Sequence, residues 1–370
     1  MTMIIALVVA FAIPLLYLYG IYRLDFFKTG NLGLILISFV WGAVAYELAA
    51  FINSHLIAQG WISRDALVRF GAPVVEEILK GAILVYLIRR SDFTYFVDGA
   101  IYGFTVGIGF AVFENTEYVF GHPATALALA VARVLSVNLI HATASGSIGI
   151  ALGLSRFERS ASLQRIGTLL ISVLVAMGLH MAFNNLVSSN APLVLAILVG
   201  FAGGGMVVVI MRLGLKDLKS WVNEKLREEK AVTNNEASIV NQFEKVDDLL
   251  EPFAKLFGPD KTALAREMLL MQAQLGIHKK TAEKHQDEKM RKAAETQVIE
   301  LRRKMEENRH KLGWYCMLIL RQIFPEEGNP WWGALQASMQ APKELAGTGL
   351  WTALNTKVKD AGTKPATEAE

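Results

Sequence analysis

Glu76 and Glu77 stand side by side with Lys80 one helical turn further on, in a stretch otherwise built of apolar residues. Glu47 precedes them, and Glu114, Arg133, His141, His180 and Asn184 follow, each again in apolar surroundings. Ionisable groups in such segments are expensive, so they are functional candidates by default. A carboxylate can take a proton from water and return it to a leaving amine. Imidazole or amide groups can hold the oxyanion of a tetrahedral intermediate. Two His and one Glu can also bind zinc and leave a position open for water. No HExxH occurs, so a soluble-zincin arrangement is absent. No Ser or Cys stands out as a nucleophile; Ser145, one turn after His141, reads as packing. The reaction these residue types support is hydrolysis by an activated water, with or without a metal.

Spacing sets what can meet. Glu76 and Glu77 each reach Lys80, at i,i+4 and i,i+3, but point about 100° apart around a helix. One can face a cleft while Lys80 holds the other. His180 and Asn184 share a helix face at i,i+4. Arg133 either snorkels to an interface or pairs with Glu114 or Glu117, and Glu47 has no evident partner. Gly99, Gly103, Gly107, Gly109, Gly146 and Gly149 read as sites of close helix approach.

Stepping along the whole chain, the elements that must position these residues are membrane helices. Residues 1–215 carry 12 Lys+Arg and 10 Asp+Glu, whereas residues 216–370 carry 25 and 24. The first part is too apolar for a water-soluble domain, and it offers seven spans, roughly 3–22, 32–52, 73–88, 97–120, 126–153, 165–187 and 191–211. The first is read as a retained helix and not a cleaved signal peptide. Arg23, Lys28, Arg89, Arg90, Arg156, Arg159, Arg165, Arg212, Lys216 and Lys219 fall on alternate connections, with only Arg64 and Arg69 against the pattern. That predicts an N-terminus outside and a tail inside the cytoplasm. Helix direction then brings Glu76, Glu77, Glu114, His180 and Asn184 within about two turns of the outer end, with His141 a little deeper. The 53–72 connection would lie above them and gate access.

The expected fold is an all-α polytopic helical bundle of about seven spans (1–215), a charged helical cytoplasmic region (216–356) and a disordered tail (357–370). In the second region, Asp247–Leu256 and Leu264–Leu275 have amphipathic spacing, 279–311 reads as a solvated charged helix, and 312–324 as a short packed or interfacial helix. His278, His285 and His310 are read as solvated. The lone cysteine, Cys316, excludes a disulfide framework and a Cys-rich zinc site. The net charge of +3 argues against a nucleic-acid partner.

Glu76-Glu77-Ile-Leu-Lys80 resembles the EExxK motif of the PrsW family of intramembrane proteases. Phe110-Ala-Val-Phe-Glu114-Asn115 resembles its FxxxE(N) motif, and Arg133, His141 with Gly146, and His180-Met-Ala-Phe-Asn184 are similar to its later motifs. The likeness covers roughly residues 40–190. The related CAAX-type prenyl endopeptidases carry FxxxH where this chain runs from Phe110 to Glu114. The resemblance implies Glu76 as general base, Glu77 as a supporting or proton-shuttling carboxylate, His141 and His180 as partners, His180 and Asn184 at the oxyanion, and Glu114 orienting a His or the water. Lys80 and Arg133 would support. If a metal takes part, Zn2+ held by His141, His180 and Glu114 is the implied set. The substrate would be a membrane-anchored protein of the anti-sigma-factor kind, cut near the outer leaflet of a bacterial cytoplasmic membrane. Two other classes compete. A proton-coupled transporter or channel also uses buried Glu and His, but related halves and broken helices are not evident in the sequence. A scaffold acting through its charged tail leaves the buried carboxylates without a purpose.

Overall fold

The computed structural model describes residues 1–157, 163–189, 192–229, 240 and 242–322. No strand occurs among them. The helices are α1 (Thr2–Leu24), α2 (Leu32–Ala58), α3 (Ala72–Leu87), α4 (Phe96–Gly121), α5 (Ala126–Leu135), α6 (Val137–Leu154), α7 (Leu163–Ser188), α8 (Leu193–Arg227), α9 (Glu251–Lys284), α10 (Glu288–Leu312) and α11 (Trp314–Gln322). The expected all-α bundle is what forms. Among the described residues, six helical stretches are long and apolar enough to cross a membrane: α1, α2, α4, α5 with α6, α7 and α8. The third apolar segment, α3, is 16 residues long. It continues a helical run that begins at Arg64 and passes through a π turn at Leu67–Gly71. Much of the 53–72 connection is therefore helix and not a loop.

Two features arrange the bundle. α4 is its central element, buried along nearly its whole length. Its glycines let α6 and α2 approach to backbone contact: a Cβ on Gly99 would meet the Gly149 carbonyl, one on Gly103 that of Ser145, one on Gly107 that of His141, and one on Gly109 that of Phe39. Small residues replace the hydrophobic driving force that lipid-immersed helices lack. The other feature is a break. The fifth apolar segment is two helices, interrupted at Ser136 with φ −129° and ψ −77°. α5 is thereby turned aside, so that Arg133 before the break and His141 after it approach α4 from different directions.

The tail helices pack on the end of the bundle away from the carboxylates. α8 runs unbroken through residue 215, and its Leu218, Val222 and Leu226 join Met268, Leu269 and Ile277 of α9 in one apolar core with the membrane helices. Gln274 donates from Nε2 to the Phe27 and Lys28 carbonyls, both at 3.2 Å. The charged 279–311 stretch divides at Gln286 and Asp287. Asp287 caps α10, which buries Ala294, Val298, Met305 and Leu312 on one face. It is amphipathic, not fully solvated.

The histidine expectations divide in the same way. His310 is 80% exposed, as read. His278 is half-buried in a polar cavity, and His285 is buried with both ring nitrogens unpartnered. Burial holds both rings neutral, each with its pKa pushed down to about 4. Local charge counts hid this, because the burial comes from helix docking. The 357–370 tail lies outside the described residues.

Candidate active site

Four helices meet at one cluster. α3, with Pro73 in its first turn, supplies Glu76 and Glu77 from its second turn and Lys80 from its third. α4 supplies Glu114 about two turns before its end, α6 His141 in its second turn, and α7 His180 about two turns before its end. Chain direction and the helical rise bring these positions to one layer. All but Glu114 are buried, Glu77 and Lys80 completely; the Glu114 side chain is partly buried, 18% exposed.

Glu77 and Lys80 form the centre. Lys80 Nζ donates to Glu77 Oε1 at 2.6 Å and lies 3.0 Å from His141 Nδ1, over the face of Phe110 at 4.4 Å. His180 Nδ1 reaches the same Glu77 oxygen at 2.9 Å. His141 Nε2 lies 2.8 Å from Glu114 Oε2, and Arg133 Nη2 lies 2.7 Å from that same oxygen. These partners assign the tautomers. An ammonium can only donate, so His141 accepts at Nδ1 and carries its proton at Nε2, towards Glu114. A carboxylate only accepts, so His180 carries its proton at Nδ1 and leaves Nε2 as an acceptor. The two rings pack edge to face, 4.7 Å apart.

Glu76, unlike Glu77, makes no hydrogen bond among the described residues. Its Oε2 is buried with no hydrogen-bond partner, 3.9 Å from His180 Nδ1. The adjacent pair divides as the helical spacing predicts: the Oε2 of each is buried without a partner, but Glu77 Oε1 is held by Lys80 and His180, while Glu76 makes no hydrogen bond at all. Asn184 is less central. It donates from Nδ2 to the Val68 carbonyl at 2.9 Å and so pins the π turn to α7. Arg69 and Asn185 add contacts there, Nη1 to Oδ1 at 3.3 Å.

The sequence brought Glu76, Glu77, Lys80, Glu114, Arg133, His141 and His180 together, and the structure does too. Of the two choices for Arg133, pairing with Glu114 is realised, with Tyr118 beneath the guanidinium at 3.8 Å. Glu47 lies exposed on α2, apart from the cluster. Sequence reasoning passed over Asn138, one turn before His141, because a neutral amide in a membrane helix gives no distinctive signal.

Nothing in the donor chemistry conflicts with a divalent metal. Glu76, His141 and His180 place a carboxylate oxygen and two imidazole nitrogens within 4.8 Å of one another, and Glu76 Oε2 is an orphaned donor. A carboxylate stands behind each ring, Glu77 on His180 and Glu114 on His141, as is usual for metal-ligating histidines. Glu76 takes the place that the sequence gave to Glu114, whose oxygen is engaged by Arg133 and His141. Lys80 sits on the remaining nitrogen of His141, so ligation through that ring requires the ammonium to move.

Residues 30–215 match the family described as PrsW family intramembrane metalloprotease. The chain belongs to the PrsW family. Among curated relatives, it is 30% identical to Protease PrsW of Bacillus subtilis (strain 168) over 165 residues, 44% of this chain and 73% of the relative. It is 29% identical to Protease PrsW of Geobacillus kaustophilus (strain HTA426) over 138 residues, 37% of this chain and 60% of the relative. It is 27% identical to Protease PrsW of Clostridioides difficile (strain 630) over 154 residues, 41% and 62%. The match thus covers less than two thirds of two of these relatives. No solved structure matches. The PrsW-family match contains all of the clustered residues, and it ends before the tail helices.

Proposed function

We propose that this PrsW-family chain is an intramembrane endopeptidase that hydrolyses a membrane-anchored protein with a water activated by Glu76. The observation that carries the reading is the unpartnered, buried Oε2 of Glu76 beside an imidazole whose Nε2 can accept. A water between the two would give its proton to Glu76 as its oxygen attacks the scissile carbonyl carbon. Glu76 then delivers that proton to the leaving nitrogen as the C–N bond breaks. Glu77 is sealed from solvent and its Oε1 is engaged by Lys80 and His180, so it is not the base; it orients His180 and sets the local charge. Glu114 orients His141. Asn184 has one amide N–H left for an oxyanion, and His180 contributes there only when its ring is protonated, because its Nδ1–H is already given to Glu77.

If the protein holds a metal, Glu76, His141 and His180 would bind it, and it would polarise the carbonyl and lower the pKa of a bound water. Ligation would engage the carboxylate that the metal-free scheme uses as base and would displace Lys80 from His141, so the two schemes are alternatives.

The Lys/Arg alternation supports an N-out, C-in orientation in a bacterial cytoplasmic membrane, with residues 1–215 as the protease domain and 216–356 as a cytoplasmic region. In that frame the cluster lies in the outer half of the membrane. The scissile bond then lies at or just outside the outer leaflet of a single-pass substrate, of the anti-sigma-factor kind by family analogy. The test of the reaction is Glu76→Gln: its membranes should lack cleavage products that wild-type membranes make. Products equal in both would refute it.

A further inference from the structure

We infer that Asn138 is a positioning residue for this site, acting with Asn115 to hold Arg133 on Glu114 and so to fix His141. The inference rests on the proteolytic reading for its kinetic consequence but not for its structural one.

Asn138 is fully buried on α6, two residues past the Ser136 break and one turn before His141. Its Oδ1 accepts from Asn115 Nδ2 at 2.5 Å. Asn115, also fully buried, uses its own Oδ1 to accept from Arg133 Nε at 2.7 Å. Arg133 in turn lies on Glu114 Oε2 at 2.7 Å, and His141 Nε2 meets that oxygen at 2.8 Å. The path from Asn138 to His141 thus leaves α6, crosses to α4, passes to α5 and returns through α4. It is a closed loop that bridges the broken helix.

The break explains the need. Ser136 interrupts the α5–α6 backbone hydrogen-bond pattern, so the chain alone does not fix Arg133 relative to His141. The guanidinium has a planar fork of donors. Asn115 accepts from Nε, and that orientation leaves Nη2 in ion-pair contact with Glu114. Asn115 can hold this posture only if its amide is not free to flip, and the bond from its Nδ2 to Asn138 Oδ1 prevents the flip. The reverse orientation would set two amide oxygens against each other and turn a donor towards Arg133. Asn138 touches no group that reacts; its effect reaches His141 through Arg133 and Glu114.

Replacing Asn138 with Leu removes the acceptor at similar size, whereas Asn138→Asp keeps an oxygen for Asn115 Nδ2 to donate to. Purified protein in nanodiscs, labelled with 15N-histidine, reports on His141 directly, its ring signals assigned by their loss in His141→Gln. Asn138→Leu should shift or split the His141 ring signals while those of the exposed His310 stay put, and Asn138→Asp should retain the wild-type pattern. A fluorescence-quenched peptide with a membrane-spanning segment gives the kinetic arm. There kcat should fall about 10- to 100-fold in Asn138→Leu with KM within about twofold, the range for residues that orient active-site ligands, and Asn138→Asp should recover most of it. Unchanged His141 signals in a folded Asn138→Leu protein would overturn the inference, as would a loss carried by KM alone. If wild type cleaves the peptide no faster than Glu76→Gln, the proteolytic reading fails with that peptide, and the histidine spectra still decide the positioning role.

Discussion

Adjacent carboxylates in one helical turn have opposite circumstances here. Glu77 is sealed from solvent and its Oε1 accepts from Lys80 and His180, whereas Glu76 makes no hydrogen bond, although the Oε2 of each is buried without a partner. Substituting either partner of the buried pair strands the other charge, at a cost of about 3–5 kcal/mol. Lys80→Met should therefore lower the unfolding temperature in detergent as well as abolish activity. Glu76→Gln removes no hydrogen bond and should leave stability nearly unchanged. A Glu76→Gln protein as unstable as Lys80→Met would contradict this division. His285 gives a pH prediction of its own. Its ring lies near the Arg156 and Arg165 guanidiniums and Asp287, with Phe157 against it at 5.0 Å and Lys284 Nζ over the Phe157 ring at 5.6 Å. Its folded pKa of about 4 lies below the unfolded value near 6.5. The unfolded state binds the proton more readily, so stability is present above about pH 6.5 and declines as pH falls towards 4. Hydrogen exchange of α9 should rise over that window, and His285→Phe should flatten the rise.

Among the elements, α4 and the broken α5–α6 pair do most of the positioning. Gly107 packs against the backbone at His141 itself. Gly107→Ala should push α6 away from α4, costing about 1–3 kcal/mol as overpacking does, and should reduce activity more than Gly146→Ala, where a Cβ meets only ordinary contacts at 3.7 Å. Equal effects of the two on activity would refute a special role for the α4–α6 contact. The helices themselves were plain in the sequence because long apolar runs admit little else. The break at Ser136 was not, since no proline or glycine marks it, and the run 126–153 reads as one over-long span. The π turn before α3 was equally silent. It depends on Asn184, Arg69 and Asn185 meeting across 116 positions of sequence, and local spacing carries no such signal. Within the site, charge in an apolar run exposed Glu76, Glu77, Lys80, Glu114, Arg133, His141 and His180. The neutral Asn138 could be found only by tracing where Asn115 spends its hydrogen bonds.

At the scale of the molecule, the tail is part of the fold. α8 carries the apolar core out of the bundle and into α9, and Gln274 ties α9 to the turn between α1 and α2. Burying His278 and His285 is a consequence of that docking. Reporter fusions after Lys28, Arg90 and Lys219 should all report a cytoplasmic location, and fusions at His122 an external one. The opposite pattern would invert the orientation and move the proposed cut to the cytoplasmic side. The central claim is that Glu76 activates water for peptide hydrolysis in the outer half of the membrane. The most direct measurement is mass spectrometry of membrane-protein fragments from cells carrying wild type or Glu76→Gln at equal levels. The account predicts fragments cut at or just beyond the external end of a single-pass segment in wild type and their absence in the variant. The same fragments in both, or cuts on the cytoplasmic side of that segment, would contradict it.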